Sequence, residues 1–427
     1  MKQKMKRGWI VLLAFLLAIA LLISLSAWFD LFWFAPQTSF SKESPGAATE
    51  DVKDYTLDQM TADQIETKMW QLLADDQKLV AWYRLPGQTE IPPAEKSTVA
   101  LAMDQLRYGQ YLLEQRNQKR FKSWWIDFRS DWLDSSGICY GSLSRSDQAG
   151  WTGSLSDDRL RANLHAARVL LLSCALWPDD ARLSDLSRLS DLILQDLAGK
   201  TPTDDVAVVP KAKPVFDPGA TPTPKPTVTP TPSPDESVKL SVLRLASIDL
   251  FAMKSLIQLD SSWQAVYDQN LQRVEEGFLG DDLPLFSYAY QPETDGYVPF
   301  DGSLPFIDTE EAILTILHLC EVGRIPQKSI SWIRNQMYNE GAIYQSYHAG
   351  QGTAPEPVEC LPAYAMIARI ARIIKDEDLY RAATNRLLWH QATSQKSVAL
   401  HAIFRTESDG SLFVYAKDNT WALLSIG

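Results

Sequence analysis

Apolar residues recur along most of this chain at the spacing of an α-helix. Within the stretch from Ser154 to Leu172, Leu160, Leu164 and Ala167 lie four and three residues apart, which places them on one helical face. The same periodicity predicts about twelve helices, over residues 58–83, 97–116, 119–133, 157–177, 181–198, 240–258, 261–278, 308–322, 327–338, 357–375, 377–392 and 417–426. Antiparallel pairs of such helices can close into a ring. We therefore expect an all-α fold, an (α/α)6 toroid.

Three short segments break the helical pattern with aromatic and β-branched residues. They read "PLFSYAY" at 284–290, "GAIYQSY" at 341–347 and "SLFVYA" at 411–416. Glycine, proline and aspartate flank these segments, as is typical of turns beside strands. We expect small β-hairpins that decorate one end of the ring.

The N-terminus has the pattern of a membrane anchor. Four basic residues lie within the first seven, and no charged residue follows from Gly8 to Phe29. A helix of that length, about 33 Å at 1.5 Å per residue, spans a bilayer core, and the basic side stays in the cytoplasm. We predict a signal-anchor over residues 1–35, a polar stalk over 36–56 and an extracellular domain over 57–427. The alternative is cleavage after Ser24-Leu25-Ser26.

A second irregular stretch interrupts the domain at residues 200–236. Its segment "PGATPTPKPTVTPTPSPD" is incompatible with helix or sheet because proline fixes φ and removes a donor. We expect an extended surface insertion without regular structure. It could be an O-glycosylated spacer, a lid or a solvated linker.

Composition narrows the classes of partner and cofactor. The formal net charge of −12 and the absence of clustered Lys and Arg in the domain argue against a nucleic-acid partner. The four cysteines have no paired spacing and no accompanying histidines, so no metal site and no cofactor is expected. Buried free thiols and a disulfide both remain open.

Several acidic residues lie where an apolar helix begins or inside an apolar run. Asp157 and Asp158 precede one helix, and Asp308 with Glu311 precedes another; both pairs could equally cap their helices. Asp249 interrupts "RLASIDLFAMKSL", where an aspartate needs a partner or a function.

Asp104 and several tryptophans also have both a structural and a functional interpretation. Asp104 lies mid-helix in the predicted 97–116 segment and could pair with Arg107 at the surface. Trp151 lies in a Gly-rich loop, where an indole can stack on a sugar ring. For Trp124, Trp125, Trp132, Trp263, Trp332 and Trp389, core packing is the simpler interpretation.

The order of several motifs resembles glycoside hydrolase family 8 and its six-hairpin relatives. Segment 101–143 contains Tyr108-Gly109 in register with a Ser-Glu-Gly-x-x-Tyr-Gly stretch, with Asp104 at the glutamate. "LSDDRLRANLHAARVLLL" is similar to the family's Asp-containing stretch before a long apolar helix, with Asp157 at its first aspartate. "ASIDLFAM", "EAILTIL", "VECLPAYAMIARIA" and "YAKDNTWALLSIG" resemble later segments, so the likeness extends from Leu57 to Gly427.

The resemblance implies a six-hairpin glycosidase that cleaves a β-linked polysaccharide. Asp104 takes the place of the catalytic acid, Glu311 that of the base, and Asp157 would hold the distorted sugar. Tyr108, Trp151, Asp158, Asp249 and Asp308 are the candidate substrate-binding residues, and Asp308 or Glu310 replaces Glu311 if the register shifts. An inverting enzyme needs an acid and a base about 6.5 to 9.5 Å apart.

Two departures from the family pattern leave the activity open. Aspartate at the acid position shortens the reach, and glutamate at the base position lengthens it. The first alternative is a catalytically degenerate protein that binds a glycan or accompanies polysaccharide synthesis and export. The second is a structural cell-surface protein.

Overall fold

Twelve α-helices in an alternating inner and outer arrangement make up most of the described chain. The computed structural model describes residues 40–48, 59–87, 93–155, 158–199, 204–208, 238–300, 305–407 and 409–427. The outer helices are α1 (Gln59–Leu73), α3 (Gln118–Trp132), α5 (Asp180–Gly199), α7 (Trp263–Glu276), α9 (Gln327–Asn335) and α11 (Glu377–Leu388). The inner helices are α2 (Ala102–Glu114), α4 (Arg159–Leu176), α6 (Leu250–Leu256), α8 (Thr309–Glu321), α10 (Leu361–Ile374) and α12 (Ala416–Ile426).

The inner helices close into a ring. In order around it, α2 packs on α4, α4 on α6, α6 on α8, α8 on α10, α10 on α12, and α12 returns to α2. The inner helix α4 is buried on all sides from Leu160 to Cys174, and most of these residues are apolar or small. The buried polar residues among them include Arg161, Asn163, His165 and Arg168. Outer helices bury one stripe, as α3 does with Phe121, Trp125, Phe128 and Trp132. The predicted (α/α)6 toroid is therefore the observed architecture.

Strands replace predicted helical residues in three places. Residues 74–84 continue as short strands and not as helix, residues 99–101 form a strand before α2, and residues 238–244 form a strand before α6. The first two strands within 74–84 pair with each other in a tight hairpin, whereas the third and the strand at 99–101 gain hydrogen bonds from partners distant in sequence, such as Ala100 opposite Leu143. Helical periodicity cannot report such a partner.

The strands form small antiparallel sheets. They are β1 (Ala74–Asp75), β2 (Lys78–Leu79), β3 (Trp82–Arg84), β4 (Glu95–Lys96), β5 (Val99–Leu101), β6 (Ser142–Ser146), β7 (Gly150–Ser154), β8 (Asp204–Val208), β9 (Val238–Arg244), β10 (Ala289–Gln291), β11 (Gly296–Val298), β12 (Phe306–Asp308), β13 (Ser346–His348), β14 (Arg405–Thr406) and β15 (Leu412–Tyr415). Their orders are β1-β2, β11-β10-β9-β8, β12-β13, β14-β15-β3-β4 and β5-β6-β7. All three predicted β segments contain a strand.

Several strands lead directly into the N-terminus of an inner helix. β5 ends at Leu101 before α2, β12 ends at Asp308 before α8, and β15 ends at Tyr415 before α12. The hairpins thus fix the first turns of the inner helices, where helix amides and the macrodipole favour carboxylates.

The predicted insertion contains one strand. β8 pairs with β9 over the register Asp204 to Val242 through Val208 to Val238, which corrects the expectation that residues 200–236 lack regular structure. The Thr/Pro-rich run within it lies outside the described residues. The five residues of β8 precede that run and contain no proline, so strand pairing is open to them.

Part of the predicted stalk packs on the domain. The side chain of Arg369 on α10 donates to Ser44 Oγ at 3.1 Å and to the Pro45 carbonyl at 2.8 Å. The same guanidinium binds Glu114 on α2 and the Leu424 carbonyl on α12. Residues 40–48 therefore lie against the C-terminal ends of these inner helices and do not extend away from the ring.

Among the described residues, no helix is long and apolar enough to cross a bilayer. The predicted anchor at 1–35 lies outside the described residues.

Cys139, Cys174, Cys320 and Cys360 are buried free thiols. Burial raises the pKa of each of these thiols, so all four are packed as small apolar side chains.

Candidate functional site

The first turns of four inner helices meet at one end of the ring. Arg161 on α4 pairs with Glu311 on α8, and Lys417 on α12 pairs with the neighbouring Glu310. Asp104 on α2 lies within the electrostatic reach of both Lys417 and Glu310. We call Asp104, Asp308, Glu310 and Glu311, with their cations Arg107, Arg161 and Lys417, the carboxylate cluster.

Asp104 is the most deeply buried carboxylate of the cluster, with 1% of its surface exposed. Its Oδ1 accepts a hydrogen bond from Arg107 at 3.0 Å, whereas its buried Oδ2 has no partner among the described residues. Burial outweighs the attraction of Arg107 and raises the pKa of Asp104 to about 6. The predicted Asp104–Arg107 pair does form, but in the interior and not at the surface.

Asp104 also occupies a different part of its helix from the one predicted. Because β5 replaces the predicted helical residues 99–101, α2 begins at Ala102 and Asp104 lies in its first turn. Arg107 follows one turn later, over the indole of Trp421 on α12 at 4.8 Å. This contact holds Arg107 against the inside of the ring.

Asp308 caps helix α8, whereas the side chain of Glu311 forms an ion pair. The Asp308 carboxylate caps α8 by accepting from the Glu311 amide at 3.0 Å. The Glu311 side chain instead binds Arg161, with Nη2 to Oε2 at 2.5 Å. Glu311 is therefore held by a cation from α4, and the helix start needs only Asp308.

Asp308 is a second carboxylate with a raised pKa. Burial, together with repulsion from Glu311 and Glu310, raises the pKa of Asp308 to about 7. Glu310 behaves in the opposite way, because Lys417 at 2.6 Å holds the pKa of Glu310 below its ordinary value despite burial. Neighbouring carboxyls are thus driven apart in protonation, as acid–base chemistry requires.

Asp249 belongs to a separate internal ion-pair network with Arg168 and Glu321. Its carboxylate caps α6 through the Ala252 amide and accepts two hydrogen bonds from Arg168, both at 2.7 Å. Arg168 also binds Glu321, which His318 approaches at 3.3 Å. Asp249, His318 and Glu321 are close enough to suit a metal ion, but the Arg168 guanidinium already supplies the positive charge between the two carboxylates. The partner that the sequence demanded for Asp249 is Arg168.

The other predicted substrate-binding residues are dispersed. Asp158 is the N-cap residue of α4, with φ of 50°, and forms an ion pair with Arg244; Asp157 lies outside the described residues. Trp151 is half-buried in β7, with Lys78 Nζ 5.7 Å from its ring centroid. Tyr108 donates its hydroxyl to Glu66 on α1 at 2.7 Å, so it points towards the outer helices. The structure brings together Asp104, Glu311 and Asp308, but not Tyr108 or Asp249.

Sequence reasoning anticipated Arg107 but missed Arg161 and Lys417, the other two cations of the cluster. Arg161 and Lys417 are 150 and 107 positions from their acidic partners, so local spacing carries no signal for either pair. A weaker signal existed in composition, because isolated basic residues in the first turn of an apolar helix are unfavourable there unless an acid compensates.

Five of the six tryptophans expected in the core are buried or pack against it. Trp263, Trp125 and Trp132 are buried, as the simpler interpretation held, and Trp332 packs edge-on against Tyr347. The expectation was wrong for Trp389, which is 74% exposed and has the Arg386 guanidinium over its ring.

Comparison with solved structures supports the architecture. A novel alpha-amylase from Clostridium perfringens superposes with a TM-score of 0.66 at 19% identity, over 86% of this chain and 97% of that one. The chain has the six-hairpin glycosidase fold. An endo-1,4-D-glucanase from Vibrio fischeri matches with a TM-score of 0.54 at 11% identity over 86% and 94% of the two chains. A cold-adapted family 8 xylanase gives 0.51 at 10% identity over 91% and 96%.

At the level of sequence, the same chain stands apart. No protein-family model matches it, and no curated protein matches it. These likenesses therefore establish the fold that the resemblance implied. Its chemistry has to be argued from the carboxylate cluster.

Proposed function

We propose that the protein is a glycoside hydrolase whose active site is the carboxylate cluster. The observation that carries this proposal is the pair of unlike carboxyls at the first turns of α2 and α8. Asp104 is buried with a free oxygen and a raised pKa, whereas Glu311 is held by Arg161. Solved structures named as a glucanase, a xylanase and an alpha-amylase share the fold.

Asp104 is the proposed general acid. A carboxyl that keeps its proton near pH 6 can donate it to the glycosidic oxygen as the bond to the sugar breaks. Oδ2 is the atom available for this transfer, because Arg107 occupies Oδ1. Arg107 also orients the carboxyl, since Trp421 fixes its guanidinium from the other side.

Glu311 is the proposed general base, and Asp157 is the proposed residue that holds the distorted sugar. Arg161 holds the Glu311 side chain in place through their ion pair, and the proposed role of the carboxylate is to accept a proton from water. Water would then attack the sugar from the face opposite to the leaving oxygen, and the anomeric configuration would invert. No metal or organic cofactor enters this scheme.

The same geometry favours a second candidate, a protein that binds a glycan without cleaving it. Arg107 and Arg161 each neutralise one of the two catalytic candidates, and Asp104 is almost fully buried. A role in polysaccharide synthesis or export belongs to this candidate. The Asp104→Glu variant separates the two, because a longer acid restores the residue of the resembled family.

The decisive experiment is a reducing-end assay with the full chain. Soluble β-1,4-glucan, xylan and starch are incubated with wild type, Asp104→Asn, Glu311→Gln and Asp104→Glu, with Trp389→Ala as a control. We expect release by wild type and by the control, and a loss of about 100-fold or more in the first two variants. Binding without release by wild type and by Asp104→Glu would favour the second candidate. NMR of the first product gives its anomeric configuration.

We further propose that residues 1–35 hold the protein in the cell membrane with the ring outside. The supporting pattern is the basic start followed by an uncharged stretch from Gly8 to Phe29. Membrane fractionation of cells expressing the full chain tests the anchor, and protease shaving of intact cells tests the outward orientation. Recovery of the protein in the soluble fraction would contradict it.

A further inference from the structure

A cavity lies on the outer side of α2, between α1, α3 and the β1-β2 hairpin. Its volume is about 400 Å³, within the range of about 300 to 1,000 Å³ that is usual for ligand pockets. Tyr108 and Leu112 form its back wall on α2, whereas Asp104 and Arg107 of the same helix belong to the carboxylate cluster. The two sites therefore share one helix and use different faces of it.

Aromatic rings form the walls and floor of this cavity, which we call the α3 cavity. The half-buried indoles of Trp70 and Trp124 stand on α1 and α3, and the buried rings of Phe128 and Trp132 lie below them. Trp124 and Phe128 stack with ring centroids 5.0 Å apart, so the aromatic surface is rigid. Flat indole faces complement the C–H faces of pyranose sugars.

Charged and polar groups of both signs surround the aromatic surface. Lys78 and Arg120 contribute two cations, and Asp127 and Asp131 contribute two carboxylates. Lys78 Nζ binds Asp131 at 2.7 Å, and Arg120 binds Glu66 and Tyr108 on the inner side. A lining of balanced charge disfavours a phosphate or another anion, while carboxylates and guanidinium groups suit the paired hydroxyls of a sugar.

We propose that the α3 cavity is a second glycan-binding site, for a neutral oligosaccharide, outside the carboxylate cluster. The inference goes beyond the proposed hydrolysis and does not require it. Such a site would keep a polysaccharide chain on the protein while another part of it occupies the ring. Tyr108, a candidate substrate-binding residue from the sequence, lines the α3 cavity and does not belong to the carboxylate cluster.

Calorimetric titration of the full chain in the Asp104→Asn background tests this site without interference from cleavage. The probes are cellohexaose, xylohexaose and maltohexaose. Trp124→Ala removes one aromatic wall, and Asp127→Ala removes one exposed acceptor. Trp389→Ala is the matched control, because it deletes an exposed indole elsewhere. Circular dichroism establishes that each variant is folded.

We expect at least one probe to bind and the Asp127→Ala variant to lose about fivefold in affinity, the effect of one hydrogen bond. Trp124→Ala should lose more, and Trp389→Ala should bind as the background does. The inference would be overturned if folded Asp127→Ala and Trp124→Ala variants bound the probes with the same affinity as the Asp104→Asn background. It would also be overturned if no probe bound. If Trp124→Ala does not fold, Asp127→Ala decides alone.

The result is distinguishable from the fate of the proposed hydrolysis. Binding that depends on Asp127, in a protein that releases no reducing ends, would support the α3 cavity and refute the enzyme. Release of reducing ends, combined with binding that is unchanged in Asp127→Ala, would support the enzyme and refute the α3 cavity as a glycan site.

Discussion

At the scale of single residues, the carboxylate cluster is governed by the cost of burying charge. Each acidic side chain there has a cation within ion-pair distance except Asp308, whose cap to the Glu311 amide is its recorded hydrogen bond. A buried carboxyl without full compensation keeps its proton. Asp104 and Asp308 accordingly have raised pKa values.

The raised pKa of Asp104 predicts the pH dependence of hydrolysis. The acid must be protonated, so kcat/KM should fall as the pH rises through about 6. A pH–rate profile on the best oligosaccharide substrate measures this descending limb. A profile that stays flat from pH 5 to 8 would contradict the assignment of Asp104.

The same carboxyls predict a pH dependence of stability. A pKa raised in the folded state from 3.8 to about 6 or 7 means that the folded protein binds the proton more tightly than the unfolded chain. The resulting stabilisation is complete below about pH 4 and is lost as the pH rises through 6 and 7.

Thermal unfolding between pH 5 and 7 tests this stability prediction with Asp104→Asn. The variant cannot ionise at this position, so its melting temperature should fall less steeply with pH than that of wild type. Asp127→Asn, at an exposed position, is the control and should follow wild type. Parallel curves for Asp104→Asn and wild type would show that Asp104 keeps no extra proton.

At the scale of elements, the sequence predicted every inner and outer helix and the strand β15 before α12, but not β5 before α2 or β12 before α8. The helix predicted at 157–177 is α4 at 159–176, because its periodicity is local. β5 was missed because its partner β6 lies about 40 residues away, with Val99 opposite Ser144. β6 and β7 form a local hairpin, but their serines and glycines are not typical of strands. Because β5 was predicted as helix, Asp104 was expected in mid-helix, whereas it lies in the first turn of α2.

Gly109 explains a further part of the α2 pattern. A Cβ built on Gly109 would lie 2.2 Å from the Trp124 ring, so only glycine lets α2 and α3 pack this closely. We expect Gly109→Ala to lower the free energy of unfolding by about 1 to 3 kcal/mol through overpacking. Denaturant titration measures the change.

Gly350→Ala is the matched control for this substitution. The nearest atom to a Cβ at Gly350 is 3.7 Å away, on the His348 ring, which is ordinary contact. Its stability should therefore remain close to that of wild type. A Gly109→Ala variant as stable as Gly350→Ala would mean that α3 adjusts without cost.

At the scale of the whole molecule, Arg369 joins parts of the chain that are far apart in sequence. It is 1% exposed and connects residues 44 and 45 with α2 and α12. None of these contacts could be predicted, because the partners lie up to 325 positions away and residues 36–56 carry the composition of a stalk. Arg369 therefore contributes both to ring closure and to the packing of residues 40–48, together with the Gln110 contact to Ser44 and the Arg372 contact to the Gly46 carbonyl.

We expect Arg369→Met to lower the free energy of unfolding by about 3 to 5 kcal/mol, because Glu114 is then left buried without its cation. Arg381→Met is the control. Arg381 pairs with Glu377 on the surface of α11, and exposed pairs contribute about 1 kcal/mol or less. Similar losses in the two variants would contradict this role of Arg369.

The most direct test of the central claim compares two leaving groups in Asp104→Asn. A general acid is needed to cleave a natural oligosaccharide, whose leaving alkoxide requires a proton, but not a dinitrophenyl glycoside of the same sugar. We predict that Asp104→Asn loses about 100-fold or more on the oligosaccharide and far less on the dinitrophenyl glycoside. Equal losses on both substrates, or no loss on either, would show that Asp104 is not the proton donor.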